Sequence, residues 1–335
     1  MNIIKKSILF LGVLLSQATF AQEGVAVYSD YLSDNYYLLH PSMAGAANCA
    51  KVRLTARQQW FGHAEAPQLQ TLTFSTKLAD EKPSAIGVTV FNDKNGFHAQ
   101  KGAKLTYAHH IQFNYGNQDL NQLSFGLSAG LTQTTLDQSR FSPEAAFDPT
   151  VSQGVLVKGS DFNVDFGFSY FYGDLYFHGT VKNALERKRD LYSDFESYNL
   201  RKYIGSVGYT FGDEEKLWFE PSLMFQYTEF TKGKTLDVNV KAYKPFENGI
   251  LWGGLSYRHG FDATEYMMNG KLADQTLQYI TPFVGVNFNK FMISYTYSHV
   301  LGDVKFDSSG FHQITLGFDF LCRKQRYHCN CPAVN

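Results

Sequence analysis

From Asp161 to Tyr172 the chain alternates. Phe162, Val164, Phe166, Phe168, Tyr170 and Tyr172 take the even positions, while Asp161, Asn163, Asp165, Gly167 and Ser169 take odd ones. A period of two predicts a β-strand with one apolar and one polar face. The pattern recurs at Leu123, Phe125, Leu127, Ala129 and Leu131, at Leu217, Phe219, Pro221, Leu223, Phe225 and Tyr227, and at Ile314, Leu316, Phe318 and Phe320. About fourteen such segments are predicted, each roughly ten residues or longer, as a tilted membrane strand requires. They fall near 51–60, 68–78, 84–94, 97–113, 121–137, 160–173, 174–183, 201–212, 217–230, 234–246, 250–260, 278–290, 291–302 and 310–322.

A soluble sheet and a membrane barrel share this alternation, so the connections must distinguish them. The long linkers 138–159, 184–200 and 261–277 all follow odd-numbered strands, whereas Gly173-Asp174, Gly212–Lys216, Glu247-Asn248-Gly249 and Asn289-Lys290 follow even-numbered ones. A bacterial barrel has short periplasmic turns and longer outer loops, and an even strand number. A soluble sandwich has no reason to sort loop length by parity. The expected fold is all-β: a transmembrane antiparallel β-barrel, with the even face of 161–172 toward lipid and the odd face toward the lumen.

The N-terminus and composition agree. Met1–Ala21 carries Lys5 and Lys6, an apolar run from Ile8 to Leu15, and Thr19-Phe20-Ala21 ahead of Gln22, the pattern of a secretory signal. Among 335 residues, 30 are basic and 31 acidic, which leaves no basic footprint for nucleic acid. Mean hydropathy is −0.26, and no apolar run of about 20 residues follows the signal, which excludes a helical membrane protein. The 21 Tyr, 29 Phe and 28 Gly suit a barrel with aromatic girdles. The expected division is a signal at 1–21, an N-terminal periplasmic or plug segment at 22–50, the barrel at 51–322 and a basic periplasmic tail at 323–335.

Chemical motifs add little. Gly126-Leu127-Ser128-Ala129-Gly130 matches G-x-S-x-G literally, but a nucleophile elbow needs a strand-to-helix turn, and here small residues point into the lumen from mid-strand. His109 and His110 project to opposite faces of a strand. Cys49, Cys322, Cys329 and Cys331 permit three pairings in an exported protein; a tail disulfide or free thiols is the expectation, since His328-Cys329-Asn330-Cys331 spaces zinc ligands poorly. Asp161, Asp165, Glu220, Asp237, Lys241 and Arg258 are expected as solvated lumen residues. No catalytic, cofactor-binding or metal-binding set is expected.

Several blocks together resemble the PorP/SprF family of type IX secretion system outer-membrane proteins of the Bacteroidetes. Asn35-Tyr36-Tyr37-Leu38-Leu39-His40-Pro41-Ser42-Met43-Ala44-Gly45 is similar to that family's N-x4-N-P-A-x-A-G signature, with His40 and Ser42 as departures. Arg57-Gln58-Gln59-Trp60-Phe61-Gly62, Ala66-Pro67 and Gln70-Thr71-Leu72 follow its R-x-Q-W-x-G, A-P and T-Q-T-L block. Gly87 with Asn92-Asp93 and Gly96, Pro221-Ser222, Asp237 with Asn239, Trp252–Arg258, Gly310 with His312-Gln313-Ile314, and Cys331-Pro332 resemble further blocks. Gln313 replaces the usual Glu, and the chain ends Ala-Val-Asn where the family tends to have Arg-Phe.

The resemblance implies an accessory outer-membrane barrel of the secretion system that recognises the C-terminal sorting domain of particular cargo, often large adhesins, and supports its secretion or surface attachment. Its implied partners are that cargo domain, components of the secretion system and outer-membrane lipid. A passive diffusion porin is the alternative. A barrel this wide must hold water, a plug or a peptide. Asn35, Pro41 and Gly45 are the candidate fixed turn of a plug, and Trp60, Phe61, Gly62 and Pro67 the candidate cargo-contacting rim. A tight hairpin alone would also need the Gly and Pro.

Overall fold

The structure, a computed structural model, describes residues 29–59, 65–79, 82–114, 119–138, 155–186, 199–268, 271–302, 310–323 and 329. The signal segment 1–21 and nearly all of the tail lie outside the described residues, as do Trp60, Phe61 and Gly62.

The wall is built from β1 Ala50–Gln59, β2 Gln68–Lys77, β3 Ser84–Asn95, β4 His98–Gln112, β5 Asn121–Asp137, β6 Leu156–Tyr172, β7 Leu175–Lys182, β8 Lys202–Tyr209, β9 Phe211–Asp213, β10 Leu217–Thr228, β11 Lys234–Phe246, β12 Gly249–Met268, β13 Lys271–Phe288, β14 Phe291–Leu301 and β15 Gly310–Phe320. β8 and β9 both pair with β10 and act as one strand interrupted at Thr210. The closed barrel therefore has fourteen antiparallel strands. It closes where β1 meets β15, in unbroken register from Ala50↔Phe320 to Gln59↔Phe311. Closure gives every wall strand a partner on both sides, which is the condition for crossing hydrocarbon with β-structure.

The two faces of β6 part as the alternation requires. Phe166 and Phe168 are 46% and 44% exposed on the outside, while Asp165 and Ser169 are buried inside. Leu54, Leu105, Leu127, Val240, Val284 and Ile293 continue the exposed apolar surface around the barrel. Turns on one end are tight: Gly173-Asp174 joins β6 to β7, and Asn289-Lys290 joins β13 to β14, with Asn289 at φ 53°. Asparagine tolerates that left-handed geometry at low cost. By loop length this end is periplasmic.

One connection differs from the sequence expectation. Residues 261–277 are not a long loop, because β12 and β13 stay paired through most of that stretch, from Ala263↔Thr276 to Met268↔Lys271, after a register shift between His259 and Ala263. Ladder pairing satisfies backbone groups that a loop would leave to water. A bulge that re-aims the strand lets the hairpin continue.

A disulfide joins Cys49 to Cys322, just outside the ends of β1 and β15. The cross-link therefore ties the first strand to the last, and Cys322 is not part of a disulfide confined to the tail. Cys329 is also disulfide-bonded.

Candidate functional site

The lumen is occupied by the chain's own N-terminal segment. A 3-10 turn at Ser29–Ser33, a one-turn helix α1 at Tyr36–Leu39 and a second 3-10 turn at Pro41–Met43 fold back from the periplasmic end of β1. Tyr31, Leu32, Tyr36, Leu39, Met43, Ala44 and Ala46 are buried there. Pro41 fits the first position of its turn because its missing N–H is not needed there and its φ is pre-set.

At two points the wall makes room for this segment by lacking a side chain. A Cβ on Gly126 of β5 would lie 2.2 Å from the Pro41 carbonyl carbon, and one on Gly87 of β3 would lie 2.5 Å from the Tyr37 ring. Gly45 has φ +62°, and a Cβ there would meet Ala85 Cβ at 2.6 Å. Small wall residues and a left-handed turn thus let plug backbone press directly on strand backbone.

Polar groups of the wall are partnered by the plug. Tyr31 donates to Asp237 Oδ2 at 2.9 Å and Asn239 Oδ1 at 3.1 Å. Arg258 grips the same Asp237 carboxylate with Nε at 2.6 Å and Nη2 at 2.7 Å. Lower down, the Glu220 carboxylate accepts from Tyr36 at 2.7 Å, from Tyr176 at 2.6 Å and from Tyr243. Asp34 of the plug pairs with Lys51 at 3.2 Å and Arg53 at 3.8 Å, and Arg53 also pairs with Asp319. Lys182 donates to the Leu38 carbonyl at 2.7 Å.

Asp165, Glu220, Asp237 and Lys241 are each at most 3% exposed. The expectation of solvated lumen charges is therefore corrected for these four: Asp165 pairs with Lys104, Glu220 accepts from phenols, Asp237 is held by Arg258 and Tyr31, and Lys241 lies over the rings of Tyr36 and Trp252. Such groups are tolerated in a dry interior only when paired and hydrogen-bonded. Burial first, and the carboxylates beside them second, hold the Tyr31 and Tyr36 phenols well above their ordinary range, so both remain donors. Burial pushes the His40 imidazole well below its usual value. Its Nδ1 lies 2.8 Å from Thr180 Oγ1 and its Nε2 3.2 Å from Ser206 Oγ.

Above the plug, on the loop side, lies a vestibule of about 470 Å³. Its lining includes Tyr31, Arg57, Pro67, Lys202, Gln226 and Arg258. Tyr31 belongs to both the plug and the vestibule, so the plug's outer end is the vestibule floor.

The profile of the family described as type IX secretion system membrane protein PorP/SprF matches residues 20–318. The chain belongs to the PorP/SprF family. Membership, together with the barrel, makes it an outer-membrane protein related to the type IX secretion system and implies contact with components of that system. A search of the curated proteins finds no match. Among solved structures, the chain is similar to the CymD monoaromatic hydrocarbon channel (TM-score 0.47, 10% identity, covering 86% of this chain and 92% of that one). It is also similar to a Pseudomonas aeruginosa FadL homologue (0.46, 10%, 81% and 89%). A third is CdiB from Acinetobacter baumannii (0.43, 9%, 81%), of whose length this chain spans 60%.

The PorP/SprF blocks are scattered in sequence and convergent in space. Asp237 and Asn239 meet Arg258 around Tyr31, and Gly87 faces Tyr37. Asn35 is buried, with its Oδ1 accepting from Thr73 at 3.4 Å. Asn35, Pro41 and Gly45 all lie within the plug, though each contacts a different part of the wall. Pro67 lies at the rim, its carbonyl accepting from Gln59 N at 3.0 Å. Of the departures from the PorP/SprF pattern inside the described residues, His40 is satisfied at both nitrogens, and Ser42 Oγ lies 2.6 Å from Ser169 Oγ. Gln313, opposite Arg57 in the β1–β15 ladder, has neither amide atom partnered among the described residues.

Tyr31 and Asp34 were not singled out by sequence reasoning, and Tyr36 entered it only as part of the Asn35–Gly45 block. For Glu220, the available signal was a carboxylate on the inward face of a strand beside several inward tyrosines, but the tyrosines come from other strands and from the plug.

Proposed function

We propose that this barrel is an accessory component of the type IX secretion system that binds the C-terminal sorting domain of specific cargo, such as a large surface adhesin, at its outer end and supports that cargo's secretion or surface attachment. The observation that carries this reading is the plug. A lumen filled from Tyr31 to Ala47 by residues hydrogen-bonded to the wall suits docking at the mouth better than diffusion through the centre. Trp60, Phe61, Gly62 and Pro67 are proposed as part of that docking rim, Asn35, Pro41 and Gly45 as the fixed turn of the plug, and the apolar outer face as the lipid contact. The signal at 1–21 and the periplasmic tail at 323–335 belong to the same proposal, as does the absence of an enzymatic role.

Deletion of the gene, followed by quantitative proteomics of the cell surface and the medium, tests it. Loss of one or a few large exported proteins with general secretion intact is the expected result. Unchanged secretion together with altered solute uptake would return the reading to a diffusion porin.

A further inference from the structure

The outward face of the barrel changes chemistry at one level across β2 to β6. Along the ladders Leu72 pairs with Val90, Val90 with Ala103, Ala103 with Leu131 and Leu131 with Phe162, a continuous apolar row. Two residues further toward the outer end, the matching row reads Gln70, Asn92, Lys101, Gln133 and Ser160. On β5 the apolar run from Leu123 to Leu131 covers roughly 20 Å of depth at the usual strand rise and tilt, close to the apolar band of about 25 Å that such barrels present to lipid. The polar row therefore stands at the outer headgroup level. Within it, Gln133 sits directly opposite Lys101 on one side and Ser160 on the other, and Lys158, opposite Thr135, is its diagonal neighbour. Direct and diagonal neighbours on one face lie about 4.5–5.5 Å and about 7–8 Å apart, within reach of long side chains. Lys101, Lys158 and Ser160 are exposed, and none of the four side chains has a hydrogen-bond or ion-pair partner among the described residues. Glu65 is paired with Lys94 at 3.0 Å, and Asp137, further out on β5, has a partner of its own. Ammonium, amide and hydroxyl groups thus gather where the neighbouring carboxylates are already engaged. On β12 and β14 the outward face near the outer end carries Tyr257 and Tyr297 instead, the rings usual at a membrane interface, so the lysines mark one sector.

We propose that this sector binds the phosphate of an anionic lipid in the outer leaflet, with Lys101, Gln133, Ser160 and Lys158 as its donors. A phosphate offers acceptor oxygens to both ammonium groups, the amide and the hydroxyl together. The sector continues without a break into the apolar row of Ala103, Leu131 and Phe162, and a lipid is the anion that also covers that row with its acyl chains. A lysine on the lipid-facing side is costly at the membrane centre and tolerated at the interface, which is where the ladders put these two. The site goes beyond cargo recognition: it fixes one flank of the barrel in the leaflet and requires no cargo.

The test is native mass spectrometry of the full-length barrel released from detergent micelles that contain phosphatidic acid or zwitterionic phosphatidylcholine. Phosphatidic acid should be retained several-fold more tightly. Lys101→Gln and Lys158→Gln should each weaken its retention roughly fivefold, and the double variant roughly 25-fold, with the heat-modifiable migration of the folded barrel unchanged. A double variant of equal charge in the periplasmic turns, Lys216→Gln with Lys290→Gln, should retain the lipid as the unaltered barrel does. Equal retention of the two lipids by the unaltered barrel would overturn the proposal, and that comparison decides even if a variant fails to fold. Equal loss in both double variants would overturn it too, by reducing the effect to net charge. Displacement of the lipid by an equimolar amount of inorganic phosphate or polyglutamate would overturn it in favour of a soluble anion or an acidic protein.

Discussion

Gly126 and Pro41 are in backbone contact across the lumen: a Cβ on Gly126 would stand 2.2 Å from the Pro41 carbonyl carbon and 2.3 Å from Ser42 N. The middle of β5 is thereby the seat of the plug. The G-x-S-x-G run matters for the volume it leaves, and Ser128 Oγ lies 2.7 Å from Thr106 Oγ1, which in turn lies 2.8 Å from the Tyr37 hydroxyl.

Gly126→Val should expel the Pro41 turn, because overlap with backbone cannot be relieved by a rotamer change. Ser42→Cys, at a position that is fully buried, should resist a membrane-impermeant thiol reagent in the otherwise native barrel and react in the Gly126→Val background. Protection in both backgrounds would contradict the proposed seat.

Asp237→Asn removes the buried carboxylate charge shared by Arg258 and Tyr31 and takes from the partly exposed Arg258 guanidinium its ion-pair partner. Loss of one partner of a fully buried pair costs about 3–5 kcal/mol, and with Arg258 16% exposed the cost here should lie at or just below the lower end, about 2–3 kcal/mol. The barrel should therefore lose its heat-resistant electrophoretic mobility at a clearly lower temperature. Tyr31→Phe, which removes a neutral donor and leaves the ion pair, should cost about 1 kcal/mol.

Acid should loosen the plug through His40. Burial, then His178 and Lys182, hold its pKa well below the usual 6.5. The docked form therefore stays neutral where the undocked form takes up a proton. Docking is fully stabilised above the undocked pKa and weakens as the pH falls below it. Thiol labelling of Ser42→Cys should rise on acidification, and a His40→Asn background should flatten that dependence.

The Cys49–Cys322 bridge closes a separation of 273 residues between strands that already pair. Replacing both cysteines with serine should lower stability by about 2–4 kcal/mol and leave the strand content unchanged by circular dichroism. An unaltered denaturation midpoint would show that the β1–β15 ladder alone closes the barrel.

The wall was legible because period-two patterning survives in nearly every strand and because lipid on one side enforces it. The Phe166 and Asp165 faces part as that pattern demands. The β12–β13 extension was not legible: pairing there depends on a partner strand and follows a register shift at His259, and neither has a local signature. The plug was visible only as a candidate, since one-turn elements such as Tyr36–Leu39 carry no periodicity. The roles of Glu220 and Tyr31 exist only once distant segments meet, and solvated lumen charges were the natural expectation without that meeting.

The central claim is that the N-terminal segment closes the lumen, and single-channel recording in planar bilayers tests it most directly. The intact barrel should show no large steady conductance, and a variant lacking residues 29–47 should open one. A large, steady conductance from the intact barrel, unchanged by that deletion, would contradict the account.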